Sequence, residues 1–273
     1  WICKNKFMKI INDKYNNLQN FSEKFKNSKP FPHIVFDNFL DQSFFSELDT
    51  EEFNIEKFKN AHLDTFLERN KSNSRNVDLS DKIRILVEEL NSDKFVNELR
   101  KLTGIDELFQ TSVGNTALSN YHEMYQSGFV GTHVDHSSEP ETGYPHVLNI
   151  LIYLTKDWKE SWGGSTILAN KNGRKIKKIV NYTPNRAVIF LHSPFTFHGV
   201  QELNNNEKKR SSVYVDYYSK NKNPYKHLNL DFKNVWFKHP TTFILPNSKD
   251  YFPKKNRVYL KKMIKHKIKA FLA

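Results

Sequence analysis

Cysteine is nearly absent: Cys3 is the only one in 273 residues. No intrachain disulfide can form, which excludes the stapled secreted scaffolds and fits a reducing compartment, so a cytoplasmic location is expected. Long apolar runs are missing too. Nothing approaches the roughly 20 residues that span a bilayer. The opening stretch from Trp1 to Tyr15 mixes Lys and Asn into its apolar residues, unlike a secretory leader. It begins on Trp1 rather than Met, so a preceding segment is expected. Acidic residues are outnumbered, and the formal charge is +12. The excess is local. Nine Lys/Arg between Lys249 and Lys269 face Asp250 alone, and that segment supplies +8 of the total. At 38% hydrophobic the chain can bury a sizeable core, as one large domain or two small ones.

Three zones are expected: 1–110, 111–219 and 220–273. The first reads as mainly helical with one early strand, Phe31 to Leu40, followed by a helix capped by Asp41. Ser80 and Ser92 can cap two more helices, with Ile83, Leu86, Val87 and Leu90, then Phe95, Val96, Leu99 and Leu102, at helical spacing. Gly104 is a plausible stop. In the second zone the period changes to two. His146–Leu154, Ser165–Ala169, Arg186–His192 and Ser211–Tyr218 read as strands. Gly163-Gly164, Asn172-Gly173, Pro184-Asn185 and Asn204–Asn206 supply the turns between them. Many short strands with regular turns predict a mainly β fold with flanking helices, such as a jelly roll. The third zone is a basic extension. It ends in a helix from about Asn256, with Leu260, Ile264, Ile268 and Phe271 on one face.

Within Gly131-Thr-His-Val-Asp-His-Ser137, His133 and Asp135 are two residues apart and point the same way in an extended chain. His198 follows 63 residues after Asp135. Two histidines and a carboxylate hold one face of a non-haem iron(II) and leave three octahedral positions open for a bidentate co-substrate and dioxygen. Zinc more often takes a third nitrogen or sulfur ligand in a tetrahedral site. His-x-Asp alone more often describes a surface turn, because the chain has eleven histidines. His136, His146 and His192 are rival ligands.

Arg210 lies 12 residues after His198. A hairpin centred near Asn205 places Ser212 opposite His198 and Arg210 one diagonal away on the same face. Arg210 can then bind a distal carboxylate bidentately, with Ser212 adding a hydroxyl. Tyr153 shares a strand face with Asn149 and Leu151, and its phenol can reach the same carboxylate. The set describes a site for a dicarboxylate that chelates metal at one end. Trp158 and Trp162 bracket a turn and are expected to pack. Tyr214, Tyr217 and Tyr218 alternate faces, so only part of that set can line a pocket.

At these residues the chain resembles the iron(II)/2-oxoglutarate-dependent oxygenases, in particular their prolyl 4-hydroxylase-like branch. The resemblance covers about Tyr121 to Tyr218. It runs through His133-Val-Asp135, Ile152-Tyr-Leu-Thr-Lys-Asp-Trp158, Trp162-Gly-Gly164, Pro184–Phe190, Phe197-His-Gly-Val200 and Arg210-Ser-Ser-Val-Tyr214. It implies a double-stranded β-helix (jelly roll, cupin-like) core. It implies iron(II) on His133, Asp135 and His198, and Arg210 on the 2-oxoglutarate C5 carboxylate. Tyr153 matches a strand tyrosine that helps hold that carboxylate, and Ser212 matches an Arg-x-Ser arrangement. Either Tyr121 or Tyr125 matches an upstream pocket tyrosine. Lys208 or Lys209 is a substitute for Arg210 if the loop register differs.

The implied reaction couples decarboxylation of 2-oxoglutarate to succinate with hydroxylation of a C–H bond, with ascorbate as a candidate reductant. A peptidyl proline or similar side chain is the expected target by family analogy, and a small molecule, lipid or saccharide is the alternative. Nucleic acid is not expected, since the demethylase branch carries a second Arg where this chain has Asp216. A non-catalytic module meeting an acidic partner or membrane surface through its basic tail is the competing class. A cupin-type dioxygenase without 2-oxoglutarate is a third.

Overall fold

In the computed structural model the described residues are 9–48, 62–63, 68–74, 79–110, 120–204, 207–221 and 242–243. Cys3, the basic tail and its expected helix from Asn256 lie outside them, as do Asn205 and Asn206. Among the described residues no helix is long and apolar enough to cross a membrane.

Among its described residues the first zone supplies four α-helices: α1 (Ser22–Asn27), α2 (Gln42–Glu47), α3 (Asp81–Leu90) and α4 (Asp93–Thr103). Their ends follow the expected chemistry. Asp41 accepts from Ser43 N at 2.9 Å at the start of α2. Ser92 Oγ accepts from Phe95 N at 3.2 Å at the start of α4, and Gly104 ends it in the left-handed region at φ 74°. Ser80 stands before α3 but makes no side-chain cap.

Twelve antiparallel strands join one sheet: β1 (His33–Phe36), β2 (His62–Leu63), β3 (Glu68–Ser74), β4 (Leu108–Gln110), β5 (Tyr121–Val134), β6 (His146–Tyr153), β7 (Thr166–Ala169), β8 (Ile176–Val180), β9 (Ala187–Leu191), β10 (His198–Val200), β11 (Arg210–Ser219) and β12 (Thr242–Phe243). The main path runs β1-β9-β6-β11-β5-β10-β7-β8 and curls into a nearly closed jelly roll. Lys178 Nζ on β8 donates to His33 Nε2 on β1 at 2.8 Å, spanning the two ends of that path. Three strands of the first zone were not expected. The β3 run Glu-Arg-Asn-Lys-Ser-Asn-Ser has no apolar face, so period-two reading misses it, yet it pairs along β5.

Strand β6 is buried at every position. Leu148, Ile150 and Ile152 pack with the helices, alongside Ile189, Val215, Leu86 and Leu99. Leu151 and Tyr153 point into the barrel with Phe190, Val188 and Leu168. A strand covered on both faces reads as a continuous apolar run, which is what His146–Leu154 shows.

Strand β5 pairs with four strands, and two of them set the site. Its first part pairs with β11 (Met124 opposite Arg210) and its last part with β10 (His133 opposite His198). Between them Ser127 takes φ 59°, and a Cβ on Gly128 would meet Tyr125 O at 2.6 Å. The expected hairpin between His198 and Arg210 does not form, because β5 lies between β10 and β11. Ser212 therefore stands opposite His122 and Tyr153, not His198.

Candidate active site

The bend of β5 and its pairing with β10 bring His133, Asp135 and His198 together, with ligand atoms within 4.8 Å of one another. Asp135 Oδ1 faces His133 Nε2 at 3.2 Å, and Oδ2 faces His198 Nε2 at 3.2 Å. His133 Nδ1 meets Gly131 O at 2.8 Å, and His198 Nδ1 meets Thr196 O at 3.1 Å. Carbonyls can only accept, so each ring carries a proton on Nδ1 and turns Nε2 toward the shared centre. Metal-ligating histidines are held this way. Burial pushes the Asp135 carboxyl up, but His198 and His133 outweigh it and hold it well below the usual carboxylate range. With Nδ1 of each ring committed to a carbonyl, the two Nε2 atoms and the Asp135 carboxylate form a donor set that fits a divalent cation.

Two further groups hold Asp135. Tyr214 donates its hydroxyl to Oδ2 at 2.6 Å, and Asn149 Nδ2 donates to the same oxygen at 2.9 Å. Tyr214 also stacks on His122, with centroids 5.5 Å apart.

Alongside lies a cavity of about 80 Å³, whose lining includes His133, Asp135, His198, Arg210, Thr166 and Tyr214. Arg210 is buried. Its Nε donates to Gly164 O at 2.7 Å and its Nη1 to Ser212 Oγ at 3.3 Å, while Nη2 has no partner among the described residues. The guanidinium sits over the rings of Tyr153 and Tyr182, 5.3 and 5.1 Å from their centroids. No carboxylate pairs with it among the described residues. A buried cation with an orphaned donor is costly alone, and burial pulls its pKa down from the usual range. It fits an anionic ligand in the cavity. Gly164 explains the Gly-Gly pair: at φ 70° it brings its carbonyl to Arg210, and a Cβ there would meet Arg210 Cδ at 3.1 Å.

The expected partners divide. Ser212 touches Arg210 directly. Tyr153 supports Arg210 with its ring and donates its hydroxyl to Thr166 Oγ1 at 2.6 Å. Tyr121 does not line the cavity. It lies on the opposite face of β5, where its hydroxyl donates to Glu123 Oε1 at 2.8 Å, and Tyr125 donates to the other Glu123 oxygen. The period of two decides this: His122 and Met124 face the cavity, so 121, 123 and 125 cannot. Lys209 is taken by Glu123 at 2.8 Å and Lys208 by Asp157 at 3.1 Å, so neither replaces Arg210. Trp158 and Trp162 pack edge to face, 5.2 Å apart. His136 and His146 gather instead with Asp216 as a separate group, and His192 stacks on His146 at 4.0 Å.

Sequence reasoning missed Thr166, Tyr182 and the contacts of Asn149 and Tyr214 with Asp135. A lone Asn inside an apolar strand was the available signal for Asn149. Tyr182 lies in no strand and carried none.

Residues 118–216 match the family model of the 2OG-Fe(II) oxygenase superfamily. This stretch belongs to that superfamily. The protein is a 2-oxoglutarate-dependent dioxygenase, and its cofactors are iron(II) and 2-oxoglutarate. No curated protein sequence matches it. Among solved structures, a prolyl hydroxylase from Trichoplax adhaerens, in complex with a hypoxia inducible factor degradation domain peptide, is similar at TM-score 0.50 and 17% identity. The alignment covers 76% of this chain and 91% of that one. A Pseudomonas putida prolyl-4-hydroxylase is similar at 0.52 and 11%, covering 74% and 99%. The non-haem α-ketoglutarate-dependent epimerase SnoN of nogalamycin biosynthesis is similar at 0.52 and 14%, covering 86% and 96%. At these identities the likeness is one of fold.

Proposed function

We propose that the protein hydroxylates a C–H bond of a peptidyl proline or a similar side chain, with His133, Asp135 and His198 as the iron ligands. The observation that carries the reading is the pairing of this trio with a buried arginine that lacks an anion, both on one small cavity. When bound, iron(II) and 2-oxoglutarate supply the oxidation, with decarboxylation of the keto acid to succinate. The chain's own residues bind and orient. Arg210 takes the distal carboxylate through Nη2, and Ser212 and Gly164 O fix the fork. Tyr153 and Tyr182, stacked on each other at 4.4 Å, flank the guanidinium from one side. His122, Lys71, Val200 and Met124 form part of the remaining wall, where a substrate side chain would enter.

A peptide target is supported by analogy with the prolyl hydroxylases of the same fold. The comparable likeness to SnoN supports a small-molecule target as the second reading. Anaerobic addition of iron(II) and 2-oxoglutarate is expected to give the weak visible charge-transfer band of the chelate. Asp135→Ala abolishes that band and succinate formation. Mass spectrometry then seeks one added oxygen on proline-containing peptides. A wild-type chain that forms neither band nor succinate sinks the reading; succinate that rises only with small molecules moves it to the second.

A further inference from the structure

We propose that Asn149, oriented by the buried His146–Asp216 pair, is a positioning residue that fixes Asp135 for metal binding. The inference rests on the assignment of Asp135 as a ligand under the proposed function.

In the β6–β11 register Tyr153 stands opposite Ser212, Leu151 opposite Tyr214 and Asn149 opposite Asp216. One end of this ladder holds Arg210, its middle lines the cavity, and its other end lies behind the Asp135 carboxylate. There Asn149 is fully buried, and its Nδ2 reaches Asp135 Oδ2 at 2.9 Å. A side-chain amide has a donor end and an acceptor end. Turned round, it would set its carbonyl oxygen against an anionic carboxylate in a dry site, which is repulsive.

What holds it the right way is His146. Its Nδ1 donates to His136 O at 2.9 Å. Its Nε2 meets Asn149 Oδ1 in a short contact and Asp216 Oδ1 at 3.3 Å. His136 O and Asn149 Oδ1 are acceptors, so the ring donates from both nitrogens and is cationic, balanced by Asp216 in ion-pair contact. Asp216 sits in turn 3.7 Å from His136 Nε2. His146 also stacks between His192 and His136, with centroids 4.0 and 4.8 Å away, so it cannot rotate to release the amide. His146 thus donates to Asn149 and Asn149 donates to Asp135, so both links point a donor toward the metal carboxylate, while Asp216 behind them balances the charge of the ring. Tyr214 supplies the second donor from the cavity side. With Oδ2 held by two donors, the carboxylate presents a fixed face to the ion, and such outer partners typically set about 10–100-fold in metal affinity.

The test uses the full chain, Mn(II) as the probe with 2-oxoglutarate present, and the electron paramagnetic resonance signal of free Mn(II) as the readout. Wild type binds one Mn(II). Asn149→Leu and Asn149→Val, apolar and unable to donate to Oδ2, bind it roughly 10–100-fold more weakly, and the iron(II)/2-oxoglutarate band shifts. Thermal melting separates this loss from unfolding. If the Asn149 variants do not fold, His146→Gln must show the weakened binding with Asn149 in place. Unchanged affinity in a folded variant overturns the inference and leaves the proposed function standing. A second Mn(II) per chain that His146→Gln removes also overturns it, by making the histidine cluster a metal site. Wild type that binds no Mn(II) removes the inference together with the proposed function.

Discussion

The two faces of β6 solve opposite problems. Toward the helices, Leu148, Ile150 and Ile152 are fully buried among apolar side chains and make a dry layer whose only task is cohesion. Toward the barrel, Asn149, Leu151 and Tyr153 reach Asp135, the cavity and Arg210. Adjacent residues of one strand therefore belong to different energetic regimes. The helix face gains from filling space. The barrel face carries a buried cation, a buried anion and an orphaned donor, which are only partly satisfied until ligands arrive. The lesson is that this fold places its stability and its chemistry on alternate residues, so each should be separable by substitution.

The largest effect expected is on stability, from the dry face. Ile150→Ala removes a fully buried side chain from a layer closed on all sides and should cost about 4 kcal/mol, within the usual 2–5. Urea unfolding reads it, while 2-oxoglutarate affinity of the folded protein stays unchanged. Leu151→Ala, one residue on, opens into an existing cavity and should cost less. Equal losses at both positions would break the comparison.

Arg210→Met reverses the pattern. Losing a charge-assisted clamp should weaken 2-oxoglutarate by about 3 kcal/mol, roughly 100-fold. The ligand-free protein should melt no lower than wild type, because an unpaired buried cation is replaced by an apolar side chain of similar length. Thermal melts with and without 2-oxoglutarate measure both. A ligand-free variant that melts far below wild type would make Arg210 part of the cohesive layer after all.

Legibility in the sequence follows the same division. The helices α2, α3 and α4 announce themselves by spacing and by Asp41, Ser92 and Gly104, which are local chemistry. The apolar strands β6 and β9 are visible because both faces are covered. His133, Asp135 and His198 were readable as a set because ligand chemistry restricts residue type and spacing, and Arg210 because it opens a strand. Strand β3 was not readable, since its polar residues carry no face preference. Nor was the true neighbour of β11. A turn of Asn residues invites a hairpin, but the long β5 intervenes, and which strand lies between two others is a property of the whole sheet. Tyr121 failed for a simpler reason: one residue of register moves a side chain to the other face.

The smallest expected effect extends the comparison to β1, whose Ile34 and Phe36 join the helix layer while Val35, with Phe31 just before the strand, joins the barrel side. His33 lies among the latter. Its Nδ1 donates to Phe31 O at 2.8 Å and its Nε2 accepts from Lys178, so the native ring is neutral. Burial pushes its pKa down from 6.5 to about 4, opposed in part by the Phe31 carbonyl and helped by the Lys178 charge. Below pH 6.5 the unfolded chain takes up a proton that the native ring refuses until about pH 4. This contribution is therefore flat above 6.5, and stability falls as the pH drops through that window, by about 2 kcal/mol at pH 5. His33→Leu should remove that part of the slope, read as the difference between variant and wild type in urea midpoints at pH 7 and pH 5. An identical difference at both pH values would mean that the seam between β1 and β8 tolerates an imidazolium, and that water reaches this end of the barrel.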